Sequence, residues 1–288
     1  MASAGSKEKL SSLPWLTDKE TIIQQLSALL KQSVAPFTAT RVAIAFSGGI
    51  DSTLLAHLFA QKSPRYVLYA VGLEGASDLK QAEFVARRMN FPLKKKVMSG
   101  AEAQQALARA VNILRKAGLV CTPVDVAIAA PLLAVLAMAQ ADRITTVLYG
   151  LGADSLFAGF ERHTKYKRDF QREHIQQQLL RSLSHLEAIE NVRDQALAKE
   201  FRRTLHAPFI HPSLVAYAMR IDPVLKVNQT EKKIILREAA IALGIPRDSA
   251  FQKKIAIQYG SGFSKLMQQC AKDRGYATSQ KYLASLSG

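Results

Sequence analysis

Apolar positions along the chain follow two alternating periods. Short β-rich runs at Arg41–Phe46, Arg65–Gly72, Ile144–Tyr149 and, more weakly, Leu93–Met98 read as strands. Near-continuous apolar runs of this length predict parallel strands buried on both faces. The intervening stretches Thr53–Gln61, Asp78–Asn90, Ala101–Ala117 and Asp125–Gln140 read as helices. Strands alternating with helices, with two helices in succession before the fourth strand, predict an α/β fold, a doubly wound and mostly parallel sheet.

Upstream, Ile22, Ile23, Leu26, Leu29 and Leu30 recur at helical spacing, and Thr17 with Glu20 reads as a capping box. An amphipathic helix ending before Pro36 is expected there. Beyond 160 the strand signals stop. Glu161–Leu205 reads as helical, with ten Lys/Arg against seven Asp/Glu, and Pro208, Pro212, Pro223 and Pro246 punctuate further helices such as Glu231–Leu243. The organisation expected is a loose leader over 1–16, an α/β core over 17–160 and a mostly helical part over 161–288 that completes the site.

An apolar share of 48% over 288 residues is enough for a sizeable core and excludes disorder for most of the chain. With 39 Lys+Arg against 23 Asp+Glu the net charge is +16, which points to anionic partners, nucleotide phosphates or nucleic acid. Two distant cysteines, Cys121 and Cys270, give neither a disulfide framework nor a Cys-x-x-Cys pair, so the chain reads as cytoplasmic. Lys7 and Lys9 precede no apolar h-region, and no stretch is read as reaching the ~20 apolar residues that span a bilayer.

The most informative residues are Ser47-Gly48-Gly49-Ile50-Asp51-Ser52, between the first strand and the next helix. Glycines there let backbone N–H groups turn towards an anion, and a helix N-terminus adds about half a positive charge. With neither Gly-Lys-Ser/Thr nor Gly-x-Gly-x-x-Gly, the loop is not a Walker A or Rossmann element. An acidic residue inside a phosphate cradle calls for a divalent cation, since Mg²⁺ takes one or two carboxylates and completes its shell with phosphate oxygens and water. Read blandly, the loop is an ordinary turn and Asp51 a helix cap.

Ser-Gly-Gly-x-Asp-Ser resembles the pyrophosphate loop of the N-type ATP pyrophosphatases, which cleave ATP to AMP and pyrophosphate while adenylating a substrate. Three further segments resemble the asparagine synthetase branch. Val71 to Leu79 (VGLEGASDL) is similar to the stretch after its second strand, and Gly150 to Phe160 (GLGADSLFAGF) to its Gly-Glu-Gly-Ala/Ser-Asp-Glu-x-Phe-Gly-Gly-Tyr segment. Phe251-Gln252-Lys253-Lys254 with Gly260-Ser261-Gly262 is similar to its lysine and Gly-x-Gly element.

The resemblance implies an adenine nucleotide alpha hydrolase-like fold with ATP and Mg²⁺ as cofactors. It implies Asp51 and Asp154 as metal ligands and Lys254 as the catalytic cation. Ser47, Gly48, Gly49, Asp51 and Ser52 would hold phosphate. Ala45, Phe46, Val71 and Gly72 would hold adenine, and Gly150 would approach ribose or phosphates. Asp154 could instead cap the helix opening at Ser155, and Lys254 could belong to a solvated basic face, since the last 85 residues hold 12 Lys/Arg against five Asp/Glu.

Three departures bear on function. The chain begins Met1-Ala2-Ser3, without the catalytic cysteine and glutaminase domain of the glutamine-dependent enzymes. Nitrogen is therefore expected from free ammonia, a substrate amine or an ammonia-donating partner subunit. Leu151 stands where the family carries glutamate, and Ser155 where it carries a second acid; an isobutyl group cannot accept a proton or bind an ammonium. Ala158-Gly159 stands for Gly-Gly.

His163, His174 and His185 recur every eleven residues and read as one polar helix face rather than a metal site. Arg162, Lys165, Lys167 and Arg168 with Tyr166 and Phe170 could touch RNA, though Glu161, Asp169 and Glu173 favour a solvated face. The function expected is an AMP-forming, amide-forming ligase acting on a small carboxylate, aspartate foremost. A tRNA-modifying ATPase using the same loop and a catalytically degenerate ATP-binding subunit are the alternatives.

Overall fold

The computed structural model describes residues 14–163, 172–252 and 257–286. Most of the loose leader therefore lies outside the described residues. Its last residue does not: Leu16 forms a parallel bridge with Ile221, donating to the Arg220 carbonyl at 2.9 Å.

The chain falls into two compact units, each assembled from three stretches. One, from Ala39–Tyr149, Ile189–His206 and Lys253–Gly288, carries a five-stranded sheet. Its elements are β1 (Val42–Ala45), α2 (Ile50–Ala60), β2 (Tyr66–Leu73), α3 (Ser77–Arg88), β3 (Leu93–Met98), α4 (Gly100–Lys116), α5 (Pro123–Ala141), β4 (Thr146–Leu148), α8 (Asn191–Glu200), β5 (Thr204–His206), α12 (Ile257–Gly260), α13 (Phe263–Asp273) and α14 (Ser279–Ser285). The other comprises Met1–Thr38, Gly150–Ala188 and Ala207–Gln252. It holds α1 (Lys19–Val34), α6 (Ala153–Leu156), α7 (Arg172–His185), α9 (Pro212–Ala218), α10 (Ile234–Ala242) and α11 (Arg247–Ala250).

The strand order is β3-β2-β1-β4-β5, and every pairing is parallel. The doubly wound α/β expectation is met. Val42, Ala43 and Ile44 of β1 are fully buried, with Val42 in register with Tyr66 on one side and Thr146 on the other. Burying a side chain such as Ile44 is worth about 1.5–3 kcal/mol.

Two strand expectations need correction. β3 is an edge strand rather than one buried on both faces: Lys94 and Lys95 are exposed, and Val97 is 56% exposed. Strand signals also do not end at 160. Thr204–His206 is a fifth strand beside β4, with Thr204 opposite Thr146, so Glu161–Leu205 is not helical throughout.

Helix boundaries follow the same physics. The cap of α1 is Asp18, whose carboxylate accepts the Thr21 N–H at 3.1 Å, not a Thr17–Glu20 box. Ile22, Leu26, Leu29 and Leu30 line its buried face. α5 is the one described helix long and apolar enough to cross a membrane, with mean hydropathy 1.9 in its best window. Most of that window is buried here, as for a core helix under a sheet. His163 lies in a short 3₁₀ turn, Glu161–His163, whereas His174 and His185 lie on α7, so the three do not share one helix face.

Candidate functional site

β1 ends at Ala45 and the chain turns into α2 through Phe46-Ser47-Gly48-Gly49. Gly48 takes φ +70°, and a Cβ there would stand 2.7 Å from the Gln81 carbonyl oxygen, so only glycine fits without rearrangement. Gln81 of α3 donates to the Gly48 carbonyl at 3.2 Å and fastens the loop from the side. Gly49 is the N-cap of α2 and carries no side-chain cap. The first amides of α2 therefore have no side-chain acceptor of their own at the cap, the arrangement that binds phosphate.

Asp51 lies half-buried in the first turn of α2. Ser52 is buried; its hydroxyl donates to the Gly49 carbonyl at 3.1 Å and accepts from the Ser47 N–H at 3.3 Å. It braces the loop. Phe46 is buried with its ring edge-on to Phe91, centroids 6.3 Å apart, and its N–H donates to the Tyr69 carbonyl at 2.8 Å. Phe46 thus contributes backbone and support rather than an open ring. Ala45 is half-buried at the strand end and Val71 is buried. A Cβ on Gly72 would meet Ala76 at 2.9 Å.

In the same unit the structure joins two segments that are distant in sequence. Leu73 donates its N–H to the Ser261 carbonyl at 3.0 Å, and Ser77 donates its hydroxyl to the Gly260 carbonyl at 3.3 Å. A Cβ on Gly260 would lie 2.1 Å from Asp78 Oδ1, and Gly262 adopts φ +88° against Leu73. The Gly260-Ser261-Gly262 turn is therefore seated at the carboxyl end of β2 and the start of α3. Open α/β sheets bind ligands at that edge. Lys254, the expected catalytic cation, lies outside the described residues together with Lys253.

In the other unit Gly150 and Leu151 are half-buried, and Gly152, at φ +98°, opens α6. Asp154 is therefore in the first turn and is not the N-cap. Its carboxylate is 2.7 Å from Lys233 Nζ. By sequence pattern Lys233 has no role of its own and falls inside the helix Glu231–Leu243, whereas α10 starts at Ile234 with Lys233 as its N-cap. Its backbone is left-handed at φ 58°, ψ 31°, and its side chain is 7% exposed. A non-glycine residue in that region is strained by about 1–2 kcal/mol, and such strain clusters at functional sites.

Gly159 packs directly on this pair, since a Cβ would come 1.8 Å from Asp154 Oδ1 and 2.3 Å from Lys233 Cε. Ala158 is fully buried in a left-handed conformation, φ 57°, where the resembling family has glycine. Ser155 is buried. His163 is buried nearby, its Nδ1 accepting the Phe160 N–H at 3.3 Å, and burial pushes its pKa down to about 4. It is neutral at physiological pH.

The residues fit the nucleotide and metal unevenly. The Gly48 cradle and the α2 amides suit a polyphosphate. Among the described residues no three His, Cys, Asp or Glu gather into a metal cage. One carboxylate at the phosphate loop matches Mg²⁺, which is commonly held by few protein oxygens plus the substrate's phosphates. Asp51 fits that role. Asp154 is already neutralised by Lys233, so a metal there would replace one cation by another.

The sequence profile of the asparagine synthase family matches residues 25–207 and 203–281. A provisionally named asparagine synthetase 1 (glutamine-hydrolyzing) of Methanocaldococcus jannaschii is 29% identical over 269 residues, 82% of this chain and 49% of that protein. Asparagine synthetase B (glutamine-hydrolyzing) of Escherichia coli K12 is 23% identical over 265 residues, 86% of this chain and 46% of that one. Asparagine synthetase domain-containing protein 1 of Mus musculus is 30% identical over 125 residues, 42% of this chain and 20% of that protein. The chain spans at most about half the length of these curated relatives. With the profile covering most of its length, the chain belongs to the asparagine synthase family.

Proposed function

We propose that the chain is an ATP-dependent, AMP-forming carbon–nitrogen ligase. The observation that carries this reading is the glycine-locked loop at Gly48, opening α2 with Asp51 in its first turn. Loop amides at Gly48 and Gly49 and the N-terminus of α2 bind the phosphate oxygens and favour charge developing on pyrophosphate. Asp51 would be the protein ligand to a magnesium ion. Bound Mg²⁺ supplies charge neutralisation for the phosphates. Lys254, by its resemblance to the family's lysine, would supply the cation that stabilises negative charge during adenylation, and Lys233 holds Asp154 in one charge-matched position.

A carboxylate oxygen of the substrate attacks the α-phosphorus, the bond to the bridging oxygen breaks, and pyrophosphate leaves. An amine nitrogen then attacks the acyl carbon, the bond to the AMP oxygen breaks, and the nitrogen's proton is lost as the amide forms. Aspartate with ammonia is the substrate pair the family suggests. Incubating the chain with ATP, Mg²⁺, aspartate and ammonium and identifying products by mass spectrometry tests this. Equimolar AMP and asparagine are expected. AMP without asparagine would move the acceptor elsewhere, and absence of AMP with aspartate and with every other carboxylate and acceptor tried would refute the ligase.

Leu151 and the buried Ser155 favour one second reading, an ATP-binding subunit without turnover, because both stand where the resembling family carries acids. Saturable ATP binding with no AMP under any acceptor would select it. Bulk tRNA in the same assay checks the tRNA-modifying alternative.

A further inference from the structure

The basic excess is concentrated on one side of the sheet-bearing unit. Over residues 100–118 and 257–288 there are seven Lys/Arg against two acidic residues, Glu102, which pairs with Lys96 of β3, and Asp273. The Asp273 carboxylate accepts from Gln269 Nε2 at 2.6 Å. These residues belong to α4, α13 and α14, which are fastened together. Arg115 donates to the Leu283 and Ala284 carbonyls at 3.1 and 3.3 Å, and Arg274 reaches Gln104 at 3.5 Å. Lys265 and Lys272 are exposed on α13, and Lys116 and Lys281 are exposed on its neighbours. A seven-residue spacing on α13 sets two ammonium groups about 10.5 Å apart along one face.

Arg109 is paired with Glu200 at 3.2 Å, but the exposed like charges of Lys116, Lys265, Lys272 and Lys281 still cost self-repulsion in the free protein, which a polyanion relieves. A membrane surface does not match. An interfacial helix exposes its large apolar residues, whereas Phe263, Met267 and Cys270 of α13 are all buried. Exposed beside the cations are an amide, Gln268, a lone apolar side chain, Val120, 77% exposed just past α4, and the Tyr259 ring, 61% exposed on α12 at the start of the same run of helices. Cations that track a backbone and an aromatic ring on which a base can stack are the elements of single-strand recognition. We propose that the face formed by α4, α13 and α14 binds single-stranded RNA through its phosphates.

Fluorescence anisotropy of a labelled single-stranded RNA oligonucleotide with the full chain tests this, without ATP and over about 50–200 mM KCl. Binding is expected to weaken steeply with salt, each neutralised phosphate contributing about 0.7 to the logarithmic slope. The triple variant Lys265→Glu, Lys272→Glu, Lys281→Glu is expected to lose affinity by about tenfold or more and to flatten the slope by about 2. A charge-matched control, Lys31→Glu, Lys62→Glu, Lys199→Glu, changes three exposed lysines outside this face and should stay within about threefold of the parent.

Unchanged ATP affinity in the triple variant shows that the fold survives. If it does not survive, Lys272→Ala alone should lower the slope by about 0.7. Equal losses in the face and control variants would reduce the effect to net charge and overturn the proposal. So would absent RNA binding, including the case where the face retains anionic phospholipid vesicles or an acidic peptide instead.

Discussion

A methyl group added at Gly48 would meet the Gln81 carbonyl at 2.7 Å on a backbone that L side chains avoid. Gly48→Ala is therefore expected to weaken ATP binding by about tenfold or more, read by calorimetric titration, since the left-handed backbone alone costs about 1–2 kcal/mol. Gly159→Ala is expected to separate Asp154 from Lys233 and to lower the unfolding midpoint in urea, because overpacking of this kind costs about 1–3 kcal/mol. Lys226 is fully buried, and burial holds its pKa down to about 7 against an ordinary 10.5, with Asp222 only partly offsetting this. The unfolded chain binds more protons between those values, so Lys226 makes stability rise as pH climbs from about 7 to 10.5. Urea midpoints across that range should climb in the parent, and Lys226→Met should remove the climb. The phosphate loop was legible because two glycines between a strand and a helix have few other uses. Lys233 was not, because a Lys-Lys pair at the start of an expected helix looks like solvated charge until the fold sets it against Asp154.

Among elements, α5 and α8 are tied at their N-terminal ends by a buried ion network. Arg193 donates to Asp194 at 2.7 Å and to Asp125 at 3.0 Å, with Arg193 and Asp194 both almost wholly buried. The two carboxylates hold the guanidinium protonated. Removing one partner leaves a buried charge, so Asp194→Ala is expected to cost about 3–5 kcal/mol in urea unfolding, while Arg193→Met with Asp194→Leu should recover most of it. The central strands and the helices of the βαβ units were readable because a parallel strand under two helix layers must be apolar along its length. β3 misled because LKKKVM keeps strand propensity while its edge position leaves Lys94 and Lys95 in water, each paired with an acid, Asp142 and Glu83. β5 was hidden because Thr204-Leu205-His206 is too short to show a period, and only pairing with β4 makes it a strand.

For the whole molecule, the sheet-bearing unit presents the phosphate loop and the helical unit the Asp154–Lys233 pair, each assembled from chain segments far apart in sequence. The family relation covers most of this chain but at most about half of the relatives' length, so the ligase reading rests on this chain's own residues. Its central claim is that the chain cleaves ATP between the α- and β-phosphates. The most direct measurement is pyrophosphate release from ATP and Mg²⁺ with aspartate and ammonium, for the parent, Asp51→Ala and Lys254→Ala. The account predicts release matched by AMP in the parent and a loss of about 100-fold or more in both variants, the scale of removing one stabilising group from a transition state. Release of phosphate with ADP, or pyrophosphate release that survives Asp51→Ala, would contradict it.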